Sequence, residues 1–286
     1  MKLLITGGAG RLGAGVIRLC ASEGYLVRAF DLPNVAWGTV SGIENVEIFK
    51  GDITDPAQVA GACVGVDAVV HLAALLPPSS ERNRDLTMRV NVEGTGNILK
   101  ALRPSRRVPL ILASSITVYG VTSGDEPPVG EDHVKMGTDN YSESKIMAEG
   151  LAESSGSPYT ILRIAPVSVA DLLELPETIP YREDQRVEFI YLEDAAHAII
   201  SVLEKPETRG RIYNVAGGGS WQMTGAEYIG RFYAALGVEV DPHFSEKHTA
   251  LDWYDTSRSR LLGYQRTNFN DFEAKLRKVA EELGLR

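Results

Sequence analysis

Eight residues constrain this chain more than any others. Thr6-Gly7-Gly8-Ala9-Gly10-Arg11-Leu12-Gly13 follow directly on the apolar run Leu3-Leu4-Ile5 and lead into a helical pattern. Gly7, Gly10 and Gly13 hold the key positions. Early glycines permit a tight turn and let the backbone approach a pyrophosphate closely. The last glycine lets helix and strand pack tightly, and a helix N-terminus favours negative charge. Glycine-rich turns are common, so the weight comes from the position of this one at the first strand–helix junction. Arg11 has two readings here, a phosphate contact or a side chain in water.

Apolar runs and helical patterns alternate beyond this point. Residues 2–6, 26–31, 46–49, 67–72, 108–113 and 159–164 read as strands, and 13–22, 56–63, 84–102 and 140–153 as helices. Leu3-Leu4-Ile5, Val69-Val70 and Leu110-Ile111-Leu112 are too continuously apolar for half-exposed strands and suit strands buried on both faces. Alternating order then implies an α/β fold with a parallel, doubly wound sheet of the Rossmann type. After Ala165 the pattern changes. Residues 166–186 carry Pro176, Pro180 and several acids, and read as part of a loop-rich substrate lobe. A helix over 191–203, a strand over 211–215 and helices over 224–236 and 270–283 follow. The expected division is a Rossmann core over 1–165 and a small C-terminal substrate lobe over 166–286, with segments returning to the core.

Composition narrows the function. The chain has 286 residues, 44% of them hydrophobic, and a formal net charge of -9. An acidic surface argues against nucleic acid as a partner, because phosphate binding needs clustered Lys and Arg. The arginines of residues 103–107 read instead as favourable charges at a helix C-terminus. Cys20 and Cys63 read as small buried hydrophobes of a reduced, cytoplasmic protein. The opening apolar run is too short for a signal peptide, and no stretch approaches the roughly 20 apolar residues of a membrane helix. The five histidines, His71, His133, His197, His243 and His248, form no ligand-spaced cluster with cysteine, so no metal is expected. His71 reads as a packing and hydrogen-bonding residue at a strand end. Trp37, Trp221 and Trp253 are pocket-lining candidates with burial as the plainer reading.

Asp31 closes the second strand. A carboxylate there accepts hydrogen bonds from the adenosine ribose hydroxyls and repels the extra phosphate of NADP, so the cofactor reads as NAD. Arg28 lies earlier on the strand and makes the weaker case for NADP. Further along, Tyr141-Ser142-Glu143-Ser144-Lys145 places a tyrosine and a lysine at i and i+4 on one helix face. A free tyrosine has a pKa of about 10. A neighbouring ammonium, with the positive nicotinamide ring, is expected to lower it and yield an acid/base for an alcohol proton. Ser114-Ser115 stand at the carboxyl end of a parallel strand, where residues face the cofactor crevice.

Together these residues resemble the extended short-chain dehydrogenase/reductases, the NAD-dependent epimerase/dehydratase family, from Met1 to about Leu262. The resemblance includes Gly51-Asp52-Ile53-Thr54-Asp55, His71-Leu72-Ala73-Ala74, Asn91-Val92-Glu93-Gly94-Thr95, Ser115-Ile116-Thr117-Val118-Tyr119-Gly120, Leu162-Arg163, residues 189–196 and Tyr213-Asn214-Val215. It implies Ser115, Tyr141 and Lys145 as catalytic residues. It implies a cofactor site of Gly7, Gly10, Arg11, Leu12, Gly13, Asp31, Asp52, Ile53, Leu72, Ala73, Ala74, Asn91, Ala113, Tyr141, Lys145, Ile164 and Pro166. Leu76, Ser115, Thr117, Arg182 and Arg186 are the substrate-binding candidates. The implied chemistry is hydride transfer from a secondary alcohol, with Tyr141 taking the proton, Ser115 orienting the oxygen and Lys145 tuning Tyr141. A homodimer packed through residues 84–102 and 140–153 is implied as well.

Sugar dehydratases of the family carry Thr-Asp-Glu where this chain has Ser115-Ile116-Thr117, so elimination of water is not expected. The resemblance to UDP-galactose 4-epimerase-like enzymes is better and makes a nucleotide-sugar epimerase the leading expectation. Two departures favour the alternative, a dehydrogenase/reductase of a smaller sugar, sugar acid or alcohol. Pro166 stands where nucleotide-sugar enzymes usually have a diphosphate-contacting Asn, and residues 167–188 form a shortened segment. Arg182 and Arg186 within it read either as carboxylate or phosphate ligands or as surface arginines. A cofactor-sensing protein without catalysis is the remaining reading, and a retained serine, tyrosine and lysine argue against it.

Overall fold

The computed structural model describes residues 1–103, 107–171 and 178–284. In chain order its elements are β1 (Lys2–Thr6), α1 (Arg11–Ser22), β2 (Leu26–Asp31), β3 (Val46–Lys50), α2 (Pro56–Ala62), β4 (Ala68–His71), α3 (Ser79–Arg82), α4 (Arg84–Met88), α5 (Gly94–Leu102), β5 (Leu110–Ser115) and α6 (Asn140–Ser154). Then come β6 (Tyr159–Ile164), β7 (Val167–Ser168), β8 (Arg186–Val187), β9 (Ile190–Tyr191), α7 (Leu192–Leu203), β10 (Arg211–Val215), β11 (Met223–Thr224), α8 (Gly225–Leu236) and α9 (Phe269–Glu282).

Seven strands form one sheet in the order β10-β6-β5-β4-β1-β2-β3, and every neighbouring pair is parallel. Strand order reverses between β1 and β4, which opens a crevice at their carboxyl ends. Alternate side chains of each buried strand feed two separate cores. Leu3, Ile5, Val27, Ala29, Val70, Ile111 and Leu162 pack with α1 and α7, whereas Leu4, Phe30, Val69, Leu110, Leu112 and Ile161 pack with α2, α5 and α6. That two-sided burial is why these strands are continuously apolar.

A third, aromatic core lies in the C-terminal part of the chain. Tyr181, Tyr191, Trp221, Tyr228, Phe269 and Phe272 pack there with Ile179, Met223 and Leu276. Thr224 and Glu227 form a reciprocal cap on α8, and Gly237 ends it in the left-handed conformation. Glu188 ties this region together from its centre, accepting from the backbone N–H of Gly218 (2.7 Å) and Tyr254 (2.8 Å) and from Gln222 Nε2 (3.0 Å).

One expectation changes. The helix expected over 84–102 is interrupted by a π-helical turn over Arg89–Glu93. Such turns release the regular ladder so that a side chain can be re-aimed, and this one carries Asn91. The tryptophans serve structure: Trp221 is fully buried, its indole N–H donates to Thr267 O (2.9 Å), and those of Trp37 and Trp253 donate to Leu32 O and Met223 O. The segment at 103–107 and the lobe segment at 167–188 lie partly outside the described residues. Cys20 is buried and Cys63 half-buried, and burial raises their thiols to about 12 and about 11. Among the described residues no helix is long and apolar enough to cross a membrane.

Candidate active site

The glycine loop is packed so tightly that its residue types are dictated. A Cβ on Gly13 would lie 2.1 Å from Gly7 O. Gly7 itself has φ +70°, and a Cβ there would meet Ala73 N at 2.8 Å. α1 starts behind the loop with no side-chain cap and no acid in its first turn, which leaves its N-terminal N–H groups facing the crevice mouth without an anionic partner. Such a terminus suits a pyrophosphate. Arg11 is exposed and Leu12 half-buried against the α1–α7 core. Asp31 ends β2 beside the loop, with Oδ2 accepting from Ala9 N (3.0 Å) and Oδ1 from Leu32 N (2.8 Å). Arg28 is bound to the carbonyls of Ala62 (2.7 Å) and Val64 (2.9 Å) and to Glu47, so it belongs to the strand's packing. Asp52 Oδ1 accepts from Thr54 N and Oγ1, both at 2.8 Å, and Ile53 is buried against Gly94.

His71 links the crevice floor. Its Nδ1 lies 2.7 Å from Thr6 Oγ1, and its Nε2 lies 3.1 Å from Thr95 Oγ1. Thr95 donates its hydroxyl proton to Asn91 O (2.6 Å), and Thr6 Oγ1 accepts from Ala73 N (3.2 Å). Proton accounting then fixes the tautomer: Nε2 carries the proton and donates to Thr95, and Nδ1 accepts from Thr6. Burial, reinforced by the charge of Lys145, lowers His71 to about 3 and keeps it neutral. The strand-end hydrogen-bonding role expected for His71 holds, and the chain of bonds braces Thr6, Ala73 and the π turn together. Asn91 is one link further on. Its amide exchanges bonds with Leu75 N (2.7 Å) and Leu75 O (3.1 Å) and donates to Ser144 Oγ (2.8 Å). The Asn91 side chain is thus spent on holding residue 75 against α6.

Ser115 ends β5, and Tyr141 and Lys145 share one face of α6. The Ser115 side chain is close enough to the Tyr141 phenol to oppose its upward shift, and its hydroxyl accepts from Thr117 N (3.2 Å) and Thr117 Oγ1 (2.9 Å). Lys145 Nζ donates to Ala113 O (2.8 Å) and sits 5.7 Å from the centre of the Tyr141 ring. The neighbouring Ser114 faces the other way, donating to Glu149 (2.6 Å), which leaves Ser115 as the serine of the site.

Burial raises the phenol to about 12; the Ser115 hydrogen bond opposes this and the charge of Asp139 adds to it. Burial also lowers Lys145 to about 8, partly offset by Glu149. The ammonium donates to a backbone carbonyl and lies over the face of the Tyr141 ring.

Beneath the site, a buried charge network supports α6. Glu149 lies one turn beyond Lys145 and pairs twice with Arg163, at 2.9 and 2.8 Å. Arg163 also donates to Tyr119 Oη and Glu131 O, both at 2.9 Å. Burial would raise Glu149, but Arg163, Ser114 and Lys135 more than offset it and hold the carboxylate below its ordinary range. The spacing Tyr141, Lys145, Glu149 was the available signal for this residue, four apart on one face.

Two substrate candidates pair with protein carboxylates. Arg182 pairs with Asp184 through Nε (2.7 Å) and Nη2 (2.8 Å), and Arg186 pairs with the buried Asp252 at 2.5 and 3.0 Å and bonds Asp125 O. Each guanidinium is held by a protein carboxylate, and residues 122–125 are tied to Asp252 both by Arg186, which donates to Asp125 O, and directly by Thr122 Oγ1 (2.8 Å to Asp252). Leu76 stays exposed, Thr117 bonds Ser115, and Ile164 and Pro166 follow at the end of β6, where Pro166 O accepts from Ile190 N. A cavity of about 510 Å³ opens elsewhere, along the edge strand β10, where Arg258 pairs with Glu131 and Asp132.

The chain is similar to several known proteins. The model of the NAD dependent epimerase/dehydratase family matches residues 3–171. D-erythronate dehydrogenase of Cupriavidus necator is 33% identical over 187 residues, covering 59% of this chain and 56% of that protein. The 3 beta-hydroxysteroid dehydrogenase/Delta 5-->4-isomerase of Mycobacterium tuberculosis is 31% identical over 157 residues, covering 52% and 41%. The matches thus span about half the length of these relatives or less. UDP-glucose-4-epimerase from Stenotrophomonas maltophila, solved with NAD and formylated UDP-arabinopyranose, superposes with a TM-score of 0.85 at 23% identity, covering 100% of this chain and 99% of that one. At that identity the likeness is one of fold.

Proposed function

Because the chain belongs to the NAD dependent epimerase/dehydratase family, we propose that it is an NAD-linked oxidoreductase of a secondary alcohol, acting as a net dehydrogenase or reductase on a small hydroxylated substrate such as a sugar acid. The reading rests on one observation above all: Ser115, Tyr141 and Lys145 meet at the end of β5, on the same carboxyl edge of the sheet as the glycine loop. NAD fits the crevice because the Gly7–Gly13 turn excludes side chains and the N-terminus of α1 has no anionic cap. The holding residues would be Gly7, Gly10, Gly13, Asp31, Asp52 and the Leu72–Ala74 segment. When bound, NAD supplies the hydride acceptor and, in its oxidised ring, a positive charge.

The protein's residues do the rest. The Ser115 hydroxyl holds the alcohol oxygen beside Tyr141 Oη. In oxidation Tyr141 removes the hydroxyl proton, and in reduction the protonated phenol returns it to the carbonyl oxygen. A phenol raised to about 12 is poised for the second direction, and positive charge nearby is what makes the first accessible. Lys145, held by Ala113 O, supplies part of that charge while it is protonated.

Substrate size follows from what the lobe leaves free. A nucleotide diphosphate calls for cationic or amide ligands. Pro166 has no side-chain donor, and Arg182 and Arg186 are already paired. D-Erythronate dehydrogenase among the relatives supports a sugar-acid class. The second reading, a nucleotide-sugar epimerase, is favoured by Ser115-Ile116-Thr117 and by the whole-chain likeness of fold to UDP-glucose-4-epimerase. A homodimer through α4–α5 and α6 belongs to either reading and is read by light scattering. Incubation with NAD and D-erythronate, other aldonates, uronates and UDP-sugars separates them. Net NADH formation with the small acids supports the first, and interconversion of UDP-sugars without net NADH supports the second.

A further inference from the structure

We infer that Glu81 is a positioning residue that clamps the catalytic tyrosine to the substrate-facing loop. The inference rests on the assignment of Tyr141 as the acid/base. Glu81 lies on the one-turn helix α3, in the connection between β4 and α4 that also carries the substrate candidate Leu76. Its carboxylate reaches across to the start of α6. Oε2 accepts from Asn140 N (2.9 Å), and Oε1 accepts from the backbone N–H of Tyr141 itself (3.1 Å). Ser80 Oγ fixes the carboxylate by donating to Oε1 (2.7 Å).

This arrangement completes the helix start. The first four N–H groups of a helix lack intrahelical partners. In α6 Ser142 Oγ takes Asp139 N (3.1 Å), Glu81 takes the next two, and the Asp139 side chain takes Ser142 N (2.7 Å). Three further bonds run alongside. Asn140 Nδ2 donates to Ser80 O (3.2 Å), Arg84 donates to Asn140 Oδ1 (3.1 Å), and Arg84 pairs with Glu143. At its other end the loop is pinned by Asn91, which holds Leu75 and reaches Ser144 of the same helix. Residues 75 and 80–84 are therefore bound to α6 on both sides of Tyr141. A substrate that orders or shifts this loop carries the backbone of Tyr141 with it, and one that does not fit leaves the phenol off its line with Ser115. Glu81 is exposed and at the helix start, so this clamp does not depend on a buried charge.

The test uses the full chain with NADH bound and compares Glu81→Ala, Glu81→Gln and Tyr141→Phe. Deuterium uptake of peptides covering residues 138–145 is read by mass spectrometry, beside turnover with the alcohol identified by the panel above. In Glu81→Ala, exchange at residues 140 and 141 is expected to rise at least tenfold, with peptides of the glycine loop unchanged. Turnover is expected to fall roughly 10- to 100-fold in kcat, the scale of a small misplacement of a reacting group, with NADH affinity within about twofold. Glu81→Gln keeps one acceptor oxygen and is expected to fall between wild type and Glu81→Ala. Unchanged exchange at 140 and 141, or a loss of NADH affinity and melting temperature in step with kcat, overturns the inference in favour of no role or a general structural one. A fully active Tyr141→Phe would instead remove the assignment on which it rests, whatever Glu81 does.

Discussion

Alanine at Gly13 puts a methyl carbon 2.1 Å from Gly7 O and 2.9 Å from Gly7 C, whereas alanine at Gly10 puts one 3.3 Å from the same oxygen. The first contact is more than about 1 Å inside van der Waals distance. Either the glycine turn or the start of α1 must move, and both are packed against β1, Ala29 and Ala73. Overpacking of this kind costs about 1 to 3 kcal/mol. In a chain of this size that corresponds to a fall in melting temperature of about 2 to 5 °C. The Gly10 contact needs a shift of only a few tenths of an ångström, so Gly10→Ala should melt within about 1 °C of wild type. Calorimetry without added cofactor reads these stabilities, and NADH fluorescence titration reads binding. Both variants should bind NADH more weakly, Gly13→Ala through the displaced loop and Gly10→Ala through a methyl group where backbone and pyrophosphate approach. A Gly13→Ala protein as stable as wild type, or a Gly10→Ala protein as destabilised as Gly13→Ala, would refute the packing argument.

Asp31→Ala should weaken NAD binding about tenfold or more, the scale of a charged hydrogen bond, and raise the relative affinity for NADP; an unchanged ratio in paired titrations would show that Asp31 does not read the ribose. Lys145→Met should abolish turnover yet stabilise the fold near neutral pH. The folded pKa of Lys145 is depressed to about 8 from 10.5, so the unfolded chain holds more protons between those values. Wild-type stability therefore gains from this group as pH rises from 8 to 10.5, and the difference between wild type and Lys145→Met, measured by urea unfolding across that range, should shrink; a difference independent of pH would contradict a buried ammonium.

Much of the scaffold was legible because each strand of the sheet is buried on two faces and the helices between are amphipathic. Gly7 and Gly13 were legible for the same kind of reason, since a single steric requirement selects the residue. α6 was harder. Its buried face carries Ser142, Ser144, Lys145 and Glu149, so hydrophobic periodicity says little, and the Tyr141–Lys145 spacing had to carry the assignment. What spacing could not supply is direction. Lys145 points at Ala113 O, which only packing reveals. Arg186 shows the same limit, because its partner Asp252 is chosen by a chain path that no local pattern encodes. Glu81 is invisible to sequence reasoning for that reason too: it meets Tyr141 from sixty residues away. The π turn at Arg89–Glu93 likewise left no mark in a pattern that reads as one helix.

The most direct test of the account is Tyr141→Phe, which removes one oxygen and leaves the packing of the ring. With the secondary alcohol that reduces NAD in the wild-type protein, the account requires NADH binding within about twofold of wild type and a loss of turnover of about 10²- to 10⁴-fold, the range of a general acid/base. NAD-linked turnover near the wild-type rate in Tyr141→Phe would contradict it and place the proton transfer elsewhere.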